Sequence, residues 1–163
     1  MAGNTPLQRH WWQDALIYQV YVRSFADSTG DGIGDIEGIR SRLDHLDSLG
    51  IDAIWLNPCY PSPQQDHGYD VADYFGIHDE YGTLADFDAL LADAEQHNIK
   101  ILMDLVPSHC SNEHEWFKAA LLAEPGSAER SRFYFRDGKD DGNEPPNNWR
   151  AAFGGSAWTR VND

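Results

Sequence analysis

Three short runs dominated by apolar residues limit what this chain can become: Ala15 to Phe25 (ALIYQVYVRSF), Ile51 to Leu56 (IDAIWL) and Ile99 to Val106 (IKILMDLV). They are rich in β-branched and aromatic residues and free of proline, so each reads as a strand. Helical spacing fills the gaps between them. Ile36, Ile39, Leu43, Leu46 and Leu49 form one stripe, stopped by Gly50. From Leu84 to His97 a second stripe carries Phe87, Leu90, Leu91 and Ala94, opened by Thr83 as N-cap with Asp86 as its capping-box partner. Asn112 to Leu122 reads as a third helix, with Trp116, Phe117 and Leu121 on one side. Near-continuous apolar strands alternating with helices imply an α/β fold with parallel pairing through right-handed crossovers. The loops that follow strands are long and polar, whereas those that precede them are short. Ligand sites of α/β folds lie at the carboxyl ends of strands, so this asymmetry points to a site there.

Charge narrows the partners. Twelve Lys and Arg against 27 Asp and Glu give a formal net charge of −15, which repels phosphate backbones and anionic lipid and argues against nucleic acid and membrane. A neutral substrate or a cation suits it better. No run approaches the roughly 18 apolar residues of a membrane span, and Met1 to Gln8 has no apolar signal core. Two cysteines, Cys59 and Cys110, are too few for a disulfide scaffold and read as cytoplasmic thiols. The oligomeric state is not written in the pattern.

Four segments carry chemistry. In Asp27-Ser-Thr-Gly-Asp31-Gly-Ile-Gly-Asp35, oxygen side chains alternate and glycine stands sixth, as in the first nine positions of a calcium loop. Asp27, Thr29, Asp31 and Asp35 would give side-chain oxygens and Ile33 its carbonyl. Position twelve is Gly38 instead of the bidentate Glu of an EF-hand, and a strand precedes the loop; a plain Asp/Gly turn is the simpler alternative. Asp66-His-Gly-Tyr69-Asp70 sets an aromatic ring beside carboxylates, the pairing that holds a sugar by ring stacking and hydroxyl hydrogen bonds, although such pairs are also common on surfaces. Asp104-Leu-Val-Pro-Ser-His109 ends the third strand, from which Asp104 and His109 can both aim over the mouth of a parallel barrel. His109, Cys110 and His114 would allow a zinc site, but no second Cys/His pair supports one. The last segment, Pro146-Asn-Asn-Trp149 with Phe153-Gly-Gly-Ser-Ala-Trp158, suits a sugar-contacting loop or an ordinary aromatic packing loop.

In their order, these blocks resemble the α-amylase family, most closely its oligo-1,6-glucosidase/α-glucosidase branch, from about Trp11 to Trp158. The resemblance rests on IYQVYVRSFADSTGDGIGDIEGI, LGIDAIWLNPCYPSP, DHGYDVADY, YGTLADFDALL, ILMDLVPSH and NNWRAAFGGSAW. It implies a (β/α)8 TIM barrel of which strands one to three are present, over residues 1–134, followed by the start of a domain inserted after strand three, residues 135–163. It also implies a structural Ca2+ on Asp27, Thr29, Asp31, Ile33 and Asp35, with Thr29 standing where the family usually has Asn. Tyr69 matches the aromatic that stacks on the non-reducing glucose and Asp70 its hydroxyl-binding partner. Asp104 matches the strand-end aspartate and His109 the histidine that contacts the transition state. Ser108 and His67 replace residues that are commonly Asn in the family. The activity implied is retaining α-glucosidase action on a small α-glucoside, with a transglycosylase or isomerase of the same branch, or a non-catalytic sugar- or Ca2+-binding fragment, as alternatives. The family's nucleophile and acid/base lie on strands four and five, so no catalytic pair is expected within these residues.

Overall fold

The computed structural model describes residues 9–161. Chain contacts divide it into two compact units, Met1–Ser111 and Asn112–Asp163. The first unit is built on a three-stranded parallel sheet. Its elements in chain order are β1 (Ile17–Val20), α1 (Val22–Phe25), α2 (Ile36–Arg40), α3 (Leu43–Ser48), β2 (Ala53–Leu56), α4 (Leu84–Gln96) and β3 (Lys100–Met103). The sheet order is β1-β2-β3, with Ile17 opposite Ala53 and Ala53 opposite Lys100. Sequential parallel strands, each followed by helix, are the opening of a (β/α)8 barrel, and the sheet here is unclosed.

Alternation along the strands gives the sheet two unlike faces. Val20, Ile54 and Leu56 point into the core with Ile36, Ile39, Leu43, Leu46 and Leu90, all at most 3% exposed. Ile101 and Met103 pack against that cluster. The opposite face is open: Ile17 is 40% and Trp55 37% exposed, and Gln19 and Lys100 are exposed too. On that side only the small Ala53 is buried.

Three elements depart from the sequence reading. The first strand stops at Val20 and Val22–Phe25 turns into a short helix, closed by the Ser24 amide on the Tyr21 carbonyl. Val22 is 1% exposed; a buried apolar turn has the composition of a strand, which hid the change. The stripe from Ile36 to Leu49 is two helices. At the break, the Ser41 hydroxyl donates to the Gly38 carbonyl at 2.7 Å and the Arg42 amide bonds three residues back, to Ile39, a local alternative to the α-helical ladder. A side chain at Gly38 would run into the Ala26 carbonyl, so α2 approaches the preceding loop as only glycine allows. In α4, Leu90 and Ala94 are buried, but Leu91 is 39% exposed. Its capping box is complete: Thr83 Oγ1 accepts from the Asp86 amide while Asp86 Oδ2 accepts from the Thr83 amide and hydroxyl.

The second unit holds α5 (Glu115–Leu122). His114 caps it, Nδ1 accepting from the Trp116 amide at 3.0 Å. Ala120 alone is buried in this helix, and Trp116 is half exposed. Phe117 meets Phe133 edge to face, and the Arg130 guanidinium lies 4.0 Å from the centre of the Phe135 ring. Isolated antiparallel bridges join Lys139 to Glu144 and Arg150 to Ser156. No helix among the described residues is long and apolar enough to cross a membrane.

Candidate functional site

The sheet ladder continues one residue beyond β2 and β3: the Asn57 amide bonds the Val20 carbonyl, and the Asp104 amide bonds the Leu56 carbonyl. Asn57 and Asp104 therefore stand side by side at the carboxyl ends of rigid strands, where barrel folds place their sites. Tyr69, on the long loop after β2, reaches both. Asn57 Nδ2 donates to the Tyr69 hydroxyl at 3.2 Å, and that hydroxyl donates to Asp104 Oδ2 at 2.9 Å. Gln19 of β1 donates from Nε2 to Asn57 Oδ1 at 2.9 Å. Burial first, then the hydrogen bond and charge of Asp104, push the Tyr69 phenol up, so it stays a neutral donor. Gly68 makes the approach possible, with φ of +96° and the Pro58 carbonyl oxygen 2.7 Å from where a Cβ would sit.

The neighbouring Asp70 is engaged by its own loop. Oδ1 accepts from the Ser62 hydroxyl at 2.8 Å and the Asp66 amide at 3.1 Å, and Oδ2 accepts from the Gln65 amide at 2.9 Å. Burial would raise its pKa, but those donors outweigh it and hold the carboxyl below the usual carboxylate range. Asp66 differs: among the described residues its carboxylate has no hydrogen-bond partner, and its charge helps to raise the Tyr69 phenol. Sequence reading passed over Asp66 and Asn57. One lay inside the quoted DHGYDVADY string and the other inside LGIDAIWLNPCYPSP, neither with a role of its own. His67 enters the left-handed region, φ 51°, and its ring sits edge-on to Tyr21.

His109 is exposed, with Nδ1 3.0 Å from the Ser108 hydroxyl. Its main chain is anchored by Tyr74, whose hydroxyl lies 2.9 Å from the His109 carbonyl oxygen and 2.8 Å from that of Val106. Tyr60 donates to the Asp104 carbonyl at 3.1 Å. Of the four sugar-site residues read from sequence, Tyr69 and Asp104 are joined directly and Asp70 follows Tyr69 in the chain. His109 makes no hydrogen bond to those three among the described residues.

The Asp27–Asp35 loop is closed by its own amides. Asp27 accepts from the amides of Thr29, Gly30 and Gly32, of which Gly32 and then Gly30 do most to lower its pKa. Asp31 accepts from the Ile33 amide at 2.8 Å. Asp35, 6% exposed, caps α2 through the Gly38 amide and binds the Ser28 amide and hydroxyl. A hard cation fits the oxygen-only donor set, but these carboxylates already serve the loop, and no three His, Cys, Asp or Glu side chains among the described residues gather as a metal set. Both cysteines are unbonded; burial pushes the Cys59 thiol up to about 11. In the second unit Trp149 stacks on Trp158, 5.9 Å between ring centres, and Trp158 Nε1 donates to Asn147. Phe153, beside the glycine pair, is 88% exposed.

Residues 19–163 match the family model described as alpha amylase, catalytic domain. Maltase 1 of Drosophila virilis is 54% identical over 153 residues, covering 91% of this chain and 24% of that protein. Oligo-1,6-glucosidase of Bacillus cereus is 50% identical over 152 residues, covering 93% and 27%. The crystal structure of the trehalulose synthase MutB from Pseudomonas mesoacidophila MX-45 superposes with a TM-score of 0.89 at 48% identity, over 94% of this chain and 27% of that one. A MutB mutant in complex with the substrate sucrose gives a TM-score of 0.87. The chain spans about a quarter of the length of these relatives.

Proposed function

Because this chain belongs to the α-amylase family, in its oligo-1,6-glucosidase/α-glucosidase branch, we propose that it forms the glucose-holding side of an enzyme acting on short α-glucosides. The observation that carries this reading is Tyr69, tied by its hydroxyl to the ends of two barrel strands with a carboxylate on each side of it in the loop. Its ring stacks on the glucose, Asp66 and Asp70 accept sugar hydroxyls, Asp104 orients the ring and His109 contacts the reacting sugar. Retaining displacement needs a nucleophile and an acid/base about 5 Å apart. We place both on later strands of the barrel, outside these 163 residues, and assign residues 135–163 to the start of the inserted domain. This chain by itself is then inactive.

Relatives named as hydrolases and a synthase whose substrate is sucrose are similar to this chain to nearly the same degree. The reaction proposed is therefore glucosyl transfer from a short α-glucoside, with the acceptor, water or a second sugar, set by residues elsewhere. The MutB likeness favours sugar as acceptor. The test is the full-length protein on sucrose and on p-nitrophenyl α-glucoside: free glucose and fructose from sucrose mark hydrolysis, an isomeric disaccharide marks transfer, and turnover of neither overturns the reading. Turnover by the 163-residue chain overturns the placement of the carboxylates.

A Ca2+ held by Asp27, Thr29, Asp31, Asp35 and the Ile33 carbonyl would crosslink the loop between α1 and α2 and play no chemical part. Calcium should then raise the melting temperature, and Asp31→Ala should abolish the rise. No response in the wild type returns the loop to an amide-closed turn. The two free thiols fit a cytoplasmic enzyme.

A further inference from the structure

We infer that Gln19 and Asn57 are positioning residues that fix the Tyr69 ring from behind, through its phenol oxygen. The inference rests on the reading that Tyr69 faces the sugar.

Four side chains form one run across all three strands: Gln19 on β1, Asn57 at the end of β2, Tyr69 on the loop, and Asp104 at the end of β3. Its direction is dictated from one end. An ionised carboxylate only accepts, so the Tyr69 hydroxyl must spend its one hydrogen on Asp104. The oxygen of Tyr69 is then left to accept, which turns the Asn57 amide nitrogen toward it and the Asn57 carbonyl toward Gln19. Gln19 in turn must donate. No member can reverse without reversing the rest.

The run matters because its two kinds of member differ in rigidity. Asn57 and Asp104 are locked by ladder hydrogen bonds, whereas Tyr69 comes from an irregular loop that passes through positive φ at Gln64, His67 and Gly68. Binding the phenol oxygen from two strand ends transfers the precision of the sheet to a loop aromatic. Both bonds are made at the oxygen, and no ring stacks on Tyr69 among the described residues.

Asn57→Asp keeps size and shape but replaces the donor with an acceptor. In the full-length enzyme at pH 7 we expect kcat/KM for p-nitrophenyl α-glucoside to fall on the order of ten- to hundredfold, the scale of a small misplacement. The loss should shrink as pH falls and the introduced carboxyl gains a proton it can donate, a recovery that a packing defect would not show. In a Tyr69→Phe background the same substitution should change the rate by less than about twofold, since its target oxygen is gone. An unchanged rate, a loss indifferent to pH, or an equal loss in both backgrounds overturns the inference. If the wild type turns over no α-glucoside, the sugar reading falls and the run is judged on urea midpoints of the same four proteins. Non-additive shifts support it and additive shifts overturn it.

Discussion

Ile54 and Trp55 are consecutive residues of β2 that face opposite ways, and truncating each to alanine separates the covered side of the sheet from the open one. Ile54 is 0% exposed within the core, whereas Trp55 is 37% exposed on the more open side of the sheet. Loss of a fully buried Ile side chain costs about 2–5 kcal/mol, transfer and cavity together. Trp55 still buries nearly two thirds of its surface, so truncation loses about 2–3 kcal/mol of transfer free energy, but solvent fills the gap and no cavity term is added. With a urea slope of about 2 kcal/mol/M, Ile54→Ala lowers the midpoint by roughly 1–2.5 M and Trp55→Ala by about 1–1.5 M. Far-UV circular dichroism at several protein concentrations makes the comparison without relying on tryptophan emission. A Trp55→Ala loss clearly larger than that of Ile54→Ala would refute the argument, because it would mean that a cavity cost operates on the open face and that this face is covered in solution. A midpoint of the wild type that rises with concentration would identify a second copy as the cover.

Two further perturbations address local features. Thr83→Ala removes one half of the α4 capping box and should cost about 1 kcal/mol, a fall of roughly 2–4 °C in melting temperature for a chain of this size; adding Asp86→Ala should cost little more, since the two form one device, and fully additive losses would count against it. The Asp70 carboxyl is held below its ordinary value by Ser62 and the amides of Asp66 and Gln65, so it contributes stability above the unfolded value of about 3.9 and loses it as pH falls through the lowered folded value. The urea-midpoint gap between wild type and Asp70→Asn should therefore be full at pH 6 and close toward pH 2.5, and a gap constant with pH would remove Asp70 from the loop's support.

Much of the fold was legible because period and punctuation agreed. All three strands, the Thr83 capping box and the Gly50 stop lie where apolar spacing and capping chemistry put them. What misled was burial without periodicity: Val22 is as buried as a strand residue yet belongs to a helical turn. The site was legible as a set of strand ends and a loop aromatic, but the division of labour among its acids was not. Asp70 and Asp66 are indistinguishable as letters, and only the fold shows that one carboxylate already accepts three hydrogen bonds from its own loop while the other accepts none among the described residues. Asn57 was invisible for a related reason: its importance comes from Gln19 and Tyr69, which lie 38 and 12 residues away.

The one-sided packing of the sheet has a consequence for synthesis on the ribosome. The strands pair with their nearest neighbours in sequence order, and the helices that cover them lie in the connections between those strands, so the buried core needs no segment from far downstream. As the chain emerges at about 5–20 residues per second, the helix-covered side can close once β3 has left the exit tunnel. The other side remains a surface awaiting its partners. A nascent chain in this state carries Ile17 and Trp55 outward, and such apolar side chains are what a chaperone would find.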